Sequence, residues 1–260
     1  MTPSGRRTAA PAQTEARRGG RLRLDQLLVE RGLAPSRERA RALVLARQVE
    51  VEGTVALRAA APTALDAAIE LKGGQRFVSR GGDKLEGFLE RTSIEVAGAR
   101  CLDAGASTGG FTDCLLQRGA ASVVSVDVGY GQIAATLRDD ARVEVRERTN
   151  VRDLPPLDPP ADLAVIDVSF IGLTTVLPAI IESVRPGGDI AALVKPQFEA
   201  GRNDVGRGGV VRDPLIHASG VAGVACWAIQ HGLRVRGVVR SPLLGPKGNR
   251  EFFLWLRRPA

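Results

Sequence analysis

The stretch Arg100-Cys-Leu-Asp-Ala-Gly-Ala-Ser-Thr-Gly-Gly-Phe-Thr-Asp113 constrains this chain more than any other. Cys101-Leu102 reads as the end of a buried strand. Gly105, Gly109 and Gly110 allow a tight turn without Cβ clashes. Phe111, Cys114, Leu115 and Arg118 then recur at helical spacing. A strand, a glycine turn and a helix form the mould for an adenosine-bearing ligand in open α/β sheets. The dinucleotide spacing G-x-G-x-x-G is absent, and an acid, Asp103, precedes the turn. A carboxylate there would repel a pyrophosphate and attract a sulfonium or an amine, so a methionine-bearing nucleoside fits better. A tight connection that binds nothing is the plainer alternative. A second acid weighs against it: Ser122–Val126 is a strand run ending in Asp127, 24 residues beyond Asp103. From that position a carboxylate can hold both hydroxyls of a ribose.

The surrounding pattern extends the argument. After the first strand (101–104) and helix (111–118), strands are expected at 123–127, 143–146, 163–167, 190–195, 233–240 and 252–256. Helices are expected near 131–137, at 174–184 and at 214–230, the second stopped by Pro186-Gly187-Gly188. Alternating strands and helices predict a doubly wound, mainly parallel α/β sheet. Ligands in such sheets sit at the carboxyl ends of strands. Asp103, Asp127, Asn150, Asp167 and Lys195 all fall at such ends. Residues 197–212 are polar and glycine-rich, a candidate lid.

Composition divides the chain. Residues 1–60 hold twelve arginines against six acids, whereas residues 61–260 hold 24 cations against 23 acids. The basic end suits a polyanion. Residues 1–20 read as a disordered basic tail, without the apolar segment of a secretory signal. Residues 21–71 read as a small α+β unit: a helix over Leu24–Arg31, a second over Arg37–Ala46 capped by Ser36, and a hairpin turning at Glu52-Gly53. Arg23, Arg37, Arg39, Arg41 and Arg47 are its candidate phosphate contacts. Residues 72–82 read as a glycine-rich joint and residues 83–260 as the large domain, with a helix opening at Lys84. Cys101, Cys114 and Cys226 are widely spaced, and with His217 and His231 they form no zinc or disulfide pattern. No metal site is expected, and a reducing, cytoplasmic compartment fits. The longest apolar runs are too short to span a bilayer.

Only four cations beyond arginine exist: Lys72, Lys84, Lys195 and Lys247. Arginine cannot give up its proton at neutral pH, whereas a crowded or desolvated lysine can. Lys84, Asp167, Lys195 and Glu251 could therefore meet as a set that takes a proton from a ribose 2′-hydroxyl. Lys195 is the candidate base, Lys84 and Asp167 orient the ribose and the donor methyl, and Glu251 positions Lys195. Alignment of oxygen, methyl and sulfur would supply most of the rate.

Two resemblances follow. R-L-D-Q-L-L, G-L-A-P-S-R-E-R-A-R and V-E-V-E-G (residues 21 onward) resemble the S4-type RNA-binding domain, with Glu52 where a basic residue or Asn is more usual. S-R-G-G-D-K-L (79–85), D-A-G-A-S-T-G-G-F-T-D (103–113), V-I-D-V-S-F (165–170), V-K-P-Q-F-E (194–199) and G-N-R-E-F-F (248–253) together resemble the TlyA family. These are S-adenosylmethionine-dependent ribosomal RNA methyltransferases with an FtsJ-type catalytic domain, historically labelled haemolysins. The resemblance implies 2′-O-methylation of cytidine in 16S or 23S ribosomal RNA within ribosomal subunits, S-adenosylmethionine as methyl donor and no metal. It implies a catalytic tetrad at Lys84, Asp167, Lys195 and Glu251. Donor contacts fall on Asp103, Gly105, Ser107, Gly109, Asp127 and Asn150. The family often carries Trp where Phe77 stands. In some relatives, loss of the methylation changes susceptibility to cyclic peptide antibiotics. A membrane-active haemolysin and a non-catalytic assembly factor are the competing readings. The oligomeric state stays open, and a monomer is compatible.

Overall fold

The computed structural model describes residues 20–71, 76–201, 205–206 and 208–260. Most of the expected basic tail, part of the joint and part of the candidate lid lie outside the described residues. The chain divides into two compact units between Gly74 and Gln75.

The smaller unit runs β1 (Arg21–Arg23), α1 (Leu24–Glu30), α2 (Arg37–Leu45), β2 (Val49–Val51), β3 (Thr54–Val55), β4 (Pro62–Ala64) and β5 (Ile69–Leu71). Ser36 caps α2, its Oγ accepting the Arg39 N–H at 3.2 Å. Leu24 and Leu28 of α1 pack on Ala40 and Val44 of α2 and on Val49 of β2. β1 pairs with β4, and β3-β2-β5 form a second small sheet; β4 and β5 were not expected from the sequence. Between β2 and β3, Glu52 and Gly53 have φ of 51° and 71°. Two positive φ values in a two-residue loop match the twist of a hairpin. The Glu52 carboxylate accepts the Ala68 N–H at 2.7 Å and ties the hairpin to the approach of β5, which gives the acid at this position a local task.

The larger unit runs α3 (Arg80–Leu89), β6 (Arg100–Ala104), α4 (Gly110–Gln117), β7 (Ser122–Val126), α5 (Ala135–Arg138), β8 (Val143–Arg146), β9 (Ala161–Ile166), α6 (Leu173–Ser183), β10 (Val184–Val194), α7 (Pro196–Glu199), α8 (Pro214–Gln230), β11 (Arg234–Arg240) and β12 (Phe252–Arg257). Its seven strands lie in the order β11-β12-β10-β9-β6-β7-β8. The strands from β8 to β10 are parallel, and β12 and β11 are antiparallel. The chain winds outward from β6 through β7 to β8, then returns to β9 on the other side of β6. The order reverses between β6 and β9, where doubly wound sheets open a ligand crevice.

Strand residues alternate between two apolar layers. Leu102, Ala104, Ile166 and Leu254 face Leu173 and Leu177 of α6 and Val224 of α8. Cys101, Val165, Leu193 and Phe253 face Leu85 and Phe88 of α3 and Leu115 of α4. Phe88 stacks on Phe253 with ring centroids 4.6 Å apart, which fixes α3 over β12.

Three expectations need correction. The helix that carries Lys84 begins at Arg80 rather than after the glycines of the joint, because α3 and α4 approach each other there through bare backbone: a Cβ on Gly110 would lie 2.2 Å from Ser79 Oγ. The strand expected at 190–195 begins at Val184 and passes through Pro186-Gly187-Gly188, with a register shift between Val184 and Asp189 absorbing the interruption. The helix expected over 131–137 shrinks to the four residues of α5.

Candidate active site

Gly105 follows β6 with φ of 89°, a conformation open to glycine. A Cβ there would lie 2.6 Å from the Asp167 carbonyl oxygen, so the turn passes directly against the end of β9. Asp127 is fixed by backbone: its Oδ2 accepts the Ser107 N–H at 2.8 Å and its Oδ1 the Gly129 N–H at 2.6 Å. The carboxylate stays half-buried with lone pairs to spare. The Asp127 carbonyl accepts the Thr149 N–H at 3.0 Å, bringing Asn150 beside it. Asn150 Oδ1 accepts the Arg152 N–H and caps the turn at 151–153.

Asp103 is wholly buried. Its Oδ2 accepts the Thr112 N–H at 2.9 Å and the Thr112 hydroxyl at 2.6 Å. Its Oδ1 is buried with no hydrogen-bond partner among the described residues. Burial pushes the carboxyl up to about 7, with the Thr112 hydroxyl opposing and the Asp167 charge adding. A cation at the glycine turn would relieve both strains. The residues present therefore fit a ligand with a positive end near Asp103 and a diol near Asp127.

The other side of the site is made of buried charge. Lys84 Nζ donates to Glu251 Oε2 at 2.5 Å. Lys195 Nζ lies 2.5 Å from Asp167 Oδ1, as an ion pair rather than an aligned hydrogen bond, and donates to Val168 O at 2.9 Å and Ser169 Oγ at 2.8 Å. Lys84 and Lys195 are each 7% exposed and Glu251 is 1% exposed. The pairing differs from the expectation that Glu251 would position Lys195, and the sheet order explains it. β10 lies between β9 and β12, so Lys195 at its end could turn to either neighbour. Lys84 descends from α3 over β12 and takes Glu251, which leaves Lys195 to Asp167. The Val194–Phe252 pair still sets Lys195 next to Glu251 across the ladder, so the four groups share one end of three adjacent strands.

Several neighbours escaped sequence reasoning. Phe170 is 90% exposed with φ of 65°, and its ring centroid lies 5.1 Å from that of Phe198. Its signal was the Ser169-Phe170 that follows the strand-ending Asp167. Glu199 accepts the Leu173 N–H at 2.9 Å, anchoring the start of α6 and the end of the loop that carries Asp167. Burial raises its carboxyl above the usual range. Thr112 also joins Ser125, hydroxyl to hydroxyl, at 2.7 Å beneath Asp103.

In the smaller unit, Arg23, Arg37 and Arg41 converge on buried Asp25. Arg23 contributes two bonds of 3.0 and 2.9 Å, Arg41 one of 3.0 Å and Arg37 one of 3.5 Å. The Arg23 bond, opposed by burial and helped by Arg41, holds the Asp25 carboxyl well below its usual range. These three arginines, roughly half exposed, are ordered by an internal acid before any outside anion arrives. Arg39 and Arg47 lie exposed on α2 and in the turn that follows it.

Fold and glycine turn together define the class: a Rossmann-like methyltransferase. The FtsJ-like methyltransferase family matches residues 77–258, and the S4 domain matches residues 22–61. The 16S/23S rRNA (cytidine-2'-O)-methyltransferase TlyA of Mycobacterium tuberculosis is 52% identical over 241 residues, spanning 91% of this chain and 90% of that protein. YqxC of Bacillus subtilis, provisionally named an rRNA methyltransferase, is 45% identical over 242 residues, 92% of this chain and 86% of YqxC. A solved structure of a provisionally named hemolysin from Streptococcus thermophilus superposes with a TM-score of 0.71 at 40% identity, covering 92% of this chain and 89% of that one. The chain belongs to the TlyA family of FtsJ-like methyltransferases. Among the described residues no helix is long and apolar enough to cross a membrane.

Proposed function

We propose that this chain transfers a methyl group from S-adenosylmethionine to the 2′-oxygen of a cytidine in ribosomal RNA, in the cytoplasm. The observation that carries the reading is the set of two lysine–carboxylate pairs, Lys195–Asp167 and Lys84–Glu251, with both lysines buried, at neighbouring strand ends beside a glycine turn. Asp103 faces the cationic end of the donor, and Asp127 takes the ribose hydroxyls. Gly105, Ser107 and Gly109 pass their backbone close to it, and Asn150 borders the adenosine. S-adenosylmethionine, when bound there, would supply a methyl on a sulfonium whose sulfur would keep the bonding electron pair. Lys195 Nζ, in its neutral form, accepts the proton of the 2′-hydroxyl as the new carbon–oxygen bond forms. Asp167, Val168 and Ser169 hold that nitrogen at a fixed point. Lys84, held by Glu251, donates to the acceptor oxygen and orients it. Phe170 offers an exposed ring on which the cytosine can stack. Arg23, Arg37 and Arg41, arranged around Asp25, with Arg39 and Arg47, supply phosphate contacts.

The test uses purified protein, methyl-labelled S-adenosylmethionine and separated small and large ribosomal subunits. Label is expected in alkali-resistant dinucleotides, because a 2′-O-methyl group blocks hydrolysis of the adjoining linkage. Label that alkali releases only in mononucleotides would place the methyl on a base and sink the reading. Lys195→Arg keeps the charge without a usable base and is expected to abolish turnover; sustained turnover would remove Lys195 as the proton acceptor.

A further inference from the structure

The last strand pair carries a charge imbalance that the chemistry above does not use. Residues 230–260 hold seven cations and one acid, whereas residues 61–229 hold seventeen cations and twenty-two acids. Arg257 is spent on Asp189, at 2.9 and 2.7 Å, and Arg258 donates to carbonyls of Ile181 and Val184. The one acid, Glu251, belongs to Lys84. Arg234, Arg236, Arg240, Lys247 and Arg250 are exposed, and among the described residues none has an ion-pair partner.

Three of these line one open edge. β11 pairs with β12 alone and is the outermost strand, exposed along most of its length. A register shift between Val235 and Gly237 turns Arg236 over the Trp255 ring, 5.5 Å from its centroid. A planar guanidinium held on an aromatic face loses little freedom when it meets a phosphate. Arg240 ends the strand opposite Phe252, and the adjoining Ser241 N–H donates to the Glu251 carbonyl at 3.0 Å. The ridge therefore starts beside Glu251 and runs outward for about 20 Å at the usual rise of a strand. Arg91 extends it, lying with its guanidinium 3.4 Å from the Arg240 carbonyl. Edge charges also discourage pairing with another sheet, but that does not account for Arg91, which lies off the strand. An uncompensated run that begins at the active site calls for a partner carrying closely spaced negative charge.

We propose that the β11 edge is a second RNA-docking surface, on which Arg234, Arg236 and Arg240 grip the phosphate backbone of the same RNA whose ribose is methylated. This rests on the reading of the site as an RNA 2′-O-methyltransferase. The contact is electrostatic and reads no sequence, so it should fix the strand's path relative to Lys195 and Glu251 rather than choose the nucleotide.

The experiment measures binding to isolated ribosomal subunits across a salt series, together with KM for subunits and Kd for S-adenosylmethionine. Arg234→Gln/Arg240→Gln is compared with Arg142→Gln/Arg185→Gln, which removes the same charge away from this edge, just before β8 and at the start of β10. The edge variant is expected to bind about tenfold more weakly, and its log–log salt slope to fall by about two. Kd for S-adenosylmethionine should stay unchanged, and Arg234→Lys/Arg240→Lys should restore the slope. If the wild type methylates the subunits but the edge and control variants show equal affinity and slope, the docking surface is overturned. If the wild type binds and the edge variant loses affinity as stated, the surface stands even where no ribose methylation is found; that second result overturns the catalytic reading alone.

Discussion

The two sides of the active site are built from opposite materials. The donor side is mostly backbone: Gly105, Ser107 and Gly109 at φ of 89°, 50° and 92°, with amide N–H groups fixing Asp127. The acceptor side is mostly side chain: two lysines and two acids, closed by Ser169 and an exposed Phe170. A bound nucleoside needs shape and close approach, which backbone gives without demanding particular side chains. A proton transfer needs a nitrogen at one fixed point, which takes charged groups held from several directions. The two sides should therefore fail differently. Donor-side changes should show in donor affinity, and acceptor-side changes in turnover at unchanged donor affinity.

The largest expected effect is on the acceptor side. Lys84→Ala leaves Glu251 as a buried, unpaired acid and removes the group proposed to orient the acceptor oxygen. Turnover is expected to fall by about a thousandfold, with calorimetric affinity for S-adenosylmethionine within twofold of wild type. A comparable loss of donor affinity would break the division between the sides. Lys84→Met should keep the same turnover defect in a folded protein, since its chain fills most of the volume of the buried lysine and leaves no cavity.

On the donor side, Gly105→Ala should weaken S-adenosylmethionine by about 10–100-fold. The new Cβ meets the Asp167 carbonyl at 2.6 Å, and the positive φ adds strain of about 1–3 kcal/mol. Isothermal titration reads this directly. Because the clash falls on the residue that carries the acceptor-side acid, turnover at saturating donor should drop as well. An unchanged donor Kd would mean that the ligand does not lie against this turn.

A smaller effect is expected at Phe170→Ala. Loss of one base-stacking contact, worth about 1–3 kcal/mol, should lower kcat/KM for ribosomal subunits by about tenfold and leave donor affinity alone. Phe170→Tyr or Phe170→Trp should recover most of it. If all three variants match wild type, the exposed ring serves only to cover Phe198.

Much of the donor side was legible in the sequence, because a glycine turn and the acids at strand ends act locally. Asp103, Gly105 and Asp127 can be placed from their own neighbours along the chain. The acceptor side was legible as a list and not as a wiring. Which lysine takes which acid depends on β10 lying between β9 and β12 and on Phe88 stacking over Phe253, contacts between residues far apart in the chain. Phe170 was quoted within a motif, but its exposure follows from a positive φ that composition does not announce. Asp25 is similar: one acid among arginines reads as a diluted charge, and burial makes it the hub that aligns three of them. The basic β11 edge was hidden by averaging, since twenty-two acids upstream nearly cancel it over residues 61–260.

The smallest and sharpest prediction concerns the one donor-side group that breaks the rule of backbone construction. Asp103 is a buried acid whose Oδ1 has no partner, and its carboxyl is pushed from the ordinary 3.8 up to about 7. Between those values the folded protein holds a proton that the unfolded chain has released. The associated stability is therefore complete below about 3.9 and is lost as pH rises through about 7. From pH 6 to pH 8 the loss should be about 1.4 kcal/mol, or about 3–6 °C in Tm for a domain of this size. Asp103→Asn keeps an oxygen to accept from Thr112 and cannot ionise. Its Tm should hold over that range while the wild type falls, and saturating S-adenosylmethionine should close the gap by stabilising the ionised wild type. Parallel Tm profiles for the two proteins would show that Asp103 is already ionised at neutral pH. In that case the donor side, like the acceptor side, keeps a fixed buried charge, and the contrast between the two would rest on glycine geometry alone.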